Sequence, residues 1–287
     1  MKTNGFTLIE LTLVLFILAL AAHLGTRQLA AVKFSRLRAA ADRQLEEIAD
    51  AVCRDRAGDV TGFLSDMGRL PYAVPSPDGA SLCLAELYVR PEGVGDFRAR
   101  PASVDNLADE ARDAGIADDS MLVPCGWGGP YISLTQGASR LRDPWGNPIE
   151  NPNGDAGCAR LLGEDLTSSA ASGGPVCAVR HLGSDGMADT NRAPASAEAR
   201  DATLAISAAS AELLLTFEPD TVSRIVWYAP LGDKITGGEA PVNAGESQKL
   251  IGNITPGVRF IKVFFSDGAT RVIQTTIRPG RGTALAL

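Results

Sequence analysis

The sequence predicts an α+β protein: a long amino-terminal helix, a loop-rich globular body and an all-β, sandwich-like carboxyl-terminal domain. Three observations predict it. An apolar run from Phe6 to Gly25, FTLIELTLVLFILALAAHLG, passes without a strong stop into a polar stretch of helical periodicity. The 30 Gly and 17 Pro fall mainly between short apolar segments, as in a loop-rich body rather than a helical bundle. After Asn191-Arg192-Ala193-Pro194 the chain reads as short β-branched and aromatic runs separated by Pro, Gly and Asp. With 287 residues there is material for two globular parts besides the amino-terminal segment.

As a helix, the twenty residues 6–25 span about 30 Å, the thickness of a bilayer's hydrocarbon core. Lys2 precedes the run and Arg27 and Lys33 follow it, so positive charge alone leaves the orientation ambiguous. Beyond Thr26, Leu37, Ala41, Leu45, Ile48 and Val52 recur at steps of four and three and mark one apolar face. Arg36, Arg38, Asp42, Arg43, Glu46 and Glu47 lie off it. One helix therefore runs from the membrane segment into the head, with Gly25 as its only strong breaker, at about 1 kcal/mol relative to Ala.

Glu10 interrupts the apolar run, and a carboxylate near a bilayer centre costs roughly 2.5–3.5 kcal/mol. Gly5, Phe6, Thr7, Leu8, Ile9 and Glu10, behind the short basic leader MKTNG, resemble the processing site of type IV pilins and type II secretion pseudopilins. The resemblance implies cleavage by prepilin peptidase between Gly5 and Phe6, methylation of the new Phe6 amine, and a head facing outward. It also gives Glu10 a task, neutralising the Phe6 ammonium of a neighbouring subunit in a filament. Lys2, the apolar stretch and Ala19-Leu20-Ala21 also fit a secretory signal peptide. Against that alternative, Glu10 would lie inside its apolar region and the helical pattern continues through the cut.

The likeness extends into the body. Asp66-Met67-Gly68-Arg69-Leu70-Pro71 resembles the turn after the long helix of major pseudopilins. Gly129-Pro130-Tyr131-Ile132 and Asp143-Pro144-Trp145-Gly146-Asn147-Pro148 are similar to two further family elements in the same order. The last of these is by its residues a pair of turns, with Trp145 expected to plug a core and no chemistry assigned to Asp143. Together these matches imply the pilin-like fold, a long helix packed on a small antiparallel sheet. Val179 to Thr190, VRHLGSDGMADT, is similar to the family's calcium loop. By that match Asp185 and Asp189 would bind Ca2+ through carboxylates, and Val179 and His181 through backbone oxygens. Residues 73–124 have no counterpart in the family pattern and read as a solvated elaboration with a helix near Val104–Ala114.

Other function classes find little material. With 27 basic and 34 acidic residues the formal net charge is −7 and no Lys/Arg run is dense, which disfavours nucleic acid. The two histidines, His23 and His181, supply no triad or metal cluster, and no hydrolase, P-loop or metalloprotease motif is present, so the chain is not expected to be an enzyme. Cys53, Cys83, Cys125, Cys158 and Cys177 fit no zinc spacing. Outside the cytoplasm they allow up to two disulfides, with Cys158–Cys177, bracketing a Gly/Ser-rich stretch, as first candidate; otherwise some are small buried hydrophobes.

The expected organisation is a leader at 1–5, a transmembrane and assembly helix at 6–25, a pseudopilin-like head at 26–192, and a β-rich domain at 193–287. In that last domain, strands are expected at Thr203–Ser207, Glu212–Phe217, Ser223–Tyr228, Arg259–Phe265 and Thr270–Ile277, with a hairpin turn at Ser266-Asp267-Gly268-Ala269. The leading expectation for function is a filament subunit anchored once in the inner membrane with its head in the periplasm. Its partners would be other subunits, prepilin peptidase, the inner-membrane assembly platform and membrane lipid. The alternative is an exported or membrane-tethered binding module that uses the carboxyl-terminal domain.

Overall fold

The computed structural model describes residues 8–56, 59–72, 74–75, 82–134, 136–149, 178–187, 200–206 and 211–287. Gly5, Phe6, Cys158, Cys177 and Asp189 lie outside the described residues. The fold is α+β, with one long amino-terminal helix and several small, mostly antiparallel sheets.

Helix α1 runs from Leu8 to Val52, 45 residues, or about 68 Å at 1.5 Å per residue. It continues through Gly25. Its two halves differ as the residue pattern dictates. Ala41, Leu45, Ile48 and Val52, the face set by the four-and-three spacing, are buried, whereas the apolar side chains from Leu8 to Leu20 are exposed all round.

The carboxyl-terminal half of α1 belongs to the first core. Leu45, Ile48 and Val52 pack with Phe63, Leu64 and Met67 of a short helix α2 (Phe63–Met67), and with Leu70, Leu87, Ile132, Leu141, Ile149 and Val179. Around them lie three two-stranded antiparallel ladders. These are β1 (Arg54–Arg56) with β2 (Asp59–Thr61), β3 (Val74–Pro75) with β4 (Leu82–Cys83), and further along the chain β7 (Ala178–His181) with β8 (Ala202–Ala205). The strand expected at Thr203–Ser207 is thus β8. It pairs with β7 beside α1, and Leu204 and Ile206 pack on the first core rather than in the sandwich.

The segment expected to be a solvated elaboration builds a core of its own. Strands β5 (Arg98–Ala102) and β6 (Asp118–Cys125) pair antiparallel, with a short helix α3 (Asp109–Asp113) between them. Ala102, Leu107, Ala111, Ile116, Met121 and Val123 pack against Val226, Tyr228 and Ile235 of the carboxyl-terminal domain. Tyr228 is buried there and its hydroxyl donates to the Ile116 carbonyl at 2.9 Å.

That domain is a two-sheet sandwich. One sheet has the order β11 (Lys234–Pro241), β10 (Val222–Leu231), β13 (Gly257–Phe265), β14 (Thr270–Ile277), all antiparallel. The other has the order β12 (Gln248–Ile254), β9 (Ala211–Thr216), β15 (Thr283–Ala286), with β15 parallel to β9. Leu213, Leu215 and Ile251 of the smaller sheet face Ile225, Ile261, Val263 and Ile277 of the larger. The inward residues alternate along β9 and β13, as the two-residue period of a pleated strand requires. The turn at residues 266–269 forms as expected, with Ala269 accepting from the Phe265 amide at 2.9 Å and Gly268 at φ 87°.

Head and sandwich meet closely. Gly68, the left-handed cap of α2, lies against the Pro230 carbonyl, and the Met67 carbonyl accepts from the Gly232 amide at 2.7 Å. Arg259, 1% exposed, spans the same junction, and Arg278 pairs with Asp55 at 2.6 Å.

Candidate membrane and assembly segment

Leu8, Ile9, Leu11, Leu15, Phe16 and Leu18 project from the amino-terminal half of α1 with more than half their surface exposed. α1 is long and apolar enough to cross a membrane, and the apolar window itself has no residue buried within the chain. In water, exposure of this much apolar surface is unfavourable by about 25 cal/mol per Å2, so the segment needs a lipid or protein environment. Its polar groups suit one. The Thr12 hydroxyl donates to the Ile9 carbonyl at 2.9 Å and so is satisfied within the helix. Glu10 stands in the first turn of α1, exposed, between Ile9 and Leu11.

The apolar surface continues past the span, with Leu29 72% and Val32 47% exposed. The four-and-three spacing marks the buried face from Leu37 onward, but Phe34, three residues earlier on the same face, is already half-buried. The i, i+3 spacing was the signal for it. Phe34 stacks at 5.9 Å on Trp145, which lies 5.6 Å from the His181 ring. Trp145 is therefore half-buried against α1 and does not plug a sheet's core; Leu141 and Ile149 on either side of its loop are the buried residues.

The matched motifs prove to be mutual supports. Asp143 is buried and accepts from the Trp145 and Asn147 amides at 3.0 and 2.8 Å. Burial raises its pKa, while those amide donors pull the other way. Asn147 Nδ2 donates to the Gly183 carbonyl at 2.7 Å, which ties this turn to the one at 183–186. Similarly, Tyr131 receives the Gly128 amide and donates to Asp66 Oδ2, both at 2.9 Å, linking the two earlier motifs. Asp66 is pushed up to about 6, first by burial, against the Tyr131 hydrogen bond and the Arg259 charge. Asn147→Ala is expected to cost about 1–2 kcal/mol in a urea melt, and Asn147→Asp more, because a second carboxylate would face Asp143 and a carbonyl.

The residues of the expected calcium loop can be compared with what the ion requires. Val179 and His181 are buried, their backbones in the β7–β8 ladder opposite Leu204 and Ala202. The Gly183 amide donates to His181 Nδ1 at 3.2 Å, and His181 Nε2 lies 3.4 Å from Asp42 Oδ1. Asp185 is exposed and accepts the Met187 amide on Oδ1 at 3.1 Å. Among the described residues no three His, Cys, Asp or Glu side chains gather. Calcium takes six to eight oxygens; the described residues supply the Asp185 carboxylate, while Asp189 lies outside them.

Cys53 and Cys125 are free and buried in separate cores. Burial first, then the Asp55 charge, pushes the Cys53 thiol up to about 12, and burial pushes Cys125 up to about 11. Both act as small hydrophobes with little thiolate character.

Compared with known proteins, the chain matches no family model, no curated protein and no solved structure.

Proposed function

We propose that the chain is a structural subunit of a type II secretion pseudopilus or a related type IV pilus-like filament. In this reading prepilin peptidase cuts the precursor after Gly5, the Phe6 amine is methylated, and α1 holds the subunit in the inner membrane until the assembly platform moves it into the filament. The head stands in the periplasm. The observation that carries the proposal is α1: a single helix whose second half is a core element and whose first half is apolar, exposed and interrupted by one acid. A lipid-facing span alone gives no reason for an acid at this depth. Pairing Glu10 with the ammonium of a neighbour's Phe6 does, since opposite charges on stacked subunits would attract each other in an apolar setting and fix their register. The proposal requires no calcium.

Mass spectrometry of the mature amino terminus tests the processing step. Methylated Phe6 is the expected species; a start near Ala22 would mean ordinary export and favour the tethered binding module. Glu10→Val is expected to keep the subunit in the membrane fraction while filament yield collapses. Normal filament yield from that variant would refute the pairing.

A further inference from the structure

The free edge of β14 differs from every other sandwich edge. On β11, Ile235 already exchanges hydrogen bonds with Asn106 and Ala108, at 2.8 Å each, and the strand carries Gly237, Gly238 and Pro241. The β12 ladder is broken between Ile251 and Ile254, with Asn253 at φ 56°. β15 has only four residues. By contrast β14 pairs with β13 in unbroken register over all eight of its residues, and nothing pairs with its other side among the described strands. Its sequence, TRVIQTTI, is largely β-branched, lacks Gly, Pro, Asp, Glu and Lys, and carries one charge, Arg271. Such edges are normally blunted by charges, bulges or proline, because their unpaired backbone N–H and C=O groups accept any further strand.

We propose that this edge pairs antiparallel with the same edge of a second copy of this chain, extending the four-stranded sheet into one of eight strands. The inference does not rest on the filament reading. The occupant and the register follow from self-complementarity. A twofold centred on Ile273 sets Ile273 opposite Ile273, Val272 opposite Gln274, Arg271 opposite Thr275 and Thr270 opposite Thr276. Opposed residues then lie on the same face of the sheet, and the Ile–Ile and Thr–Thr pairs are favourable cross-strand neighbours. The two Arg271 side chains fall four residues apart, about 14 Å, beyond the Debye length in physiological salt. A twofold centred on Gln274 is worse, since it sets Arg271 against the buried Ile277 and Thr270 against Arg278, which Asp55 already engages. Val272 is 53% exposed, so its surface is available to the partner.

The test uses the full chain in detergent micelles, with single cysteines at 272, 273 and 274 and the unaltered chain as background. Ile273→Cys is expected to cross-link to itself under oxidation, whereas Val272→Cys and Gln274→Cys cross-link only when mixed. A double variant, Val272→Glu with Gln274→Glu, places acids opposite acids at exposed positions. It is expected to sediment as a monomer with an unchanged thermal midpoint, while the unaltered chain sediments as a dimer. No cross-link at 273 above background, or a dimer that survives both acids, would overturn the proposal.

Discussion

Gly68→Ala is expected to destabilise the fold by roughly 2–5 kcal/mol, a drop on the order of 10 °C in thermal midpoint for a protein of this size. Two effects add. Gly68 caps α2 in the left-handed region at φ 64°, donating its amide to the Leu64 carbonyl at 2.9 Å, and a side chain there is strained in any surroundings. In addition, a Cβ at this position would lie 1.7 Å from the Pro230 carbonyl oxygen. Backbone cannot swing aside as a flexible side chain can, so β10 would have to separate from α2, and the Gly232 amide would lose the Met67 carbonyl. Gly93→Ala separates the two effects, because Gly93 has φ 78° with nothing within 4 Å of a built Cβ. That variant should lose only about 1–2 kcal/mol. Equal melts for the two variants would mean that head and sandwich are not in close contact at α2.

This contact bears on the proposed role. A sandwich attached by a loose linker would reorient freely when the subunit enters a filament. One held by Gly68, by the Arg278–Asp55 pair and by the 98–125 segment is carried as part of the head. The 98–125 segment covers one face of the larger sheet and the smaller sheet covers the other, so β10 is buried on both sides at Ile225 and Val226.

What was legible in the sequence follows from where each signal lies. The buried face of α1 was readable because helical spacing is local, and Glu10 because one acid stands out in an apolar run. Strands β9, β10, β13 and β14 were readable as β-branched runs bounded by Pro, Gly and Asp. KITGGEAP and QKLIGNI were not, since Gly237, Gly238 and Gly252 signal loops locally, while pairing with β10 and β9 decides the matter. The apolar residues of the 98–125 segment have no single period, and their partners Val226, Tyr228 and Ile235 lie about a hundred residues later, so no local pattern marked them as a core. The junction residues were likewise silent. An Arg within RFIKVFF reads as a surface position, yet Arg259 is the largest fully buried side chain among the described residues.

Arg259→Met is expected to cost about 3–5 kcal/mol at neutral pH, because it strips the buried donor from several carbonyls and removes the positive charge near the half-buried Asp66 carboxylate. The guanidinium donates through Nε to the Thr255 carbonyl at 2.8 Å, through Nη1 to Ser65 and Val258 carbonyls at 3.2 and 2.7 Å, and through Nη2 to Thr255 Oγ1 at 2.9 Å and to the Pro256 carbonyl. Burial lowers its pKa to about 9, partly offset by the Asp66 charge, so it remains a cation at neutral pH. Methionine fills the volume but leaves these acceptors without donors, and lysine cannot reproduce the planar fork, so Arg259→Lys should not rescue. The pH dependence distinguishes this account from simple packing loss. A carboxyl with its folded pKa raised to about 6 binds a proton in the native state that the unfolded chain has already released. Asp66 therefore contributes stability below about pH 4 that is lost as the pH rises through 6. Without the Arg259 cation its pKa moves higher still, and the loss should extend above pH 6 in Arg259→Met while the parent chain has levelled off. Parallel stability curves between pH 6 and 8 would show that Arg259 and Asp66 do not sense each other.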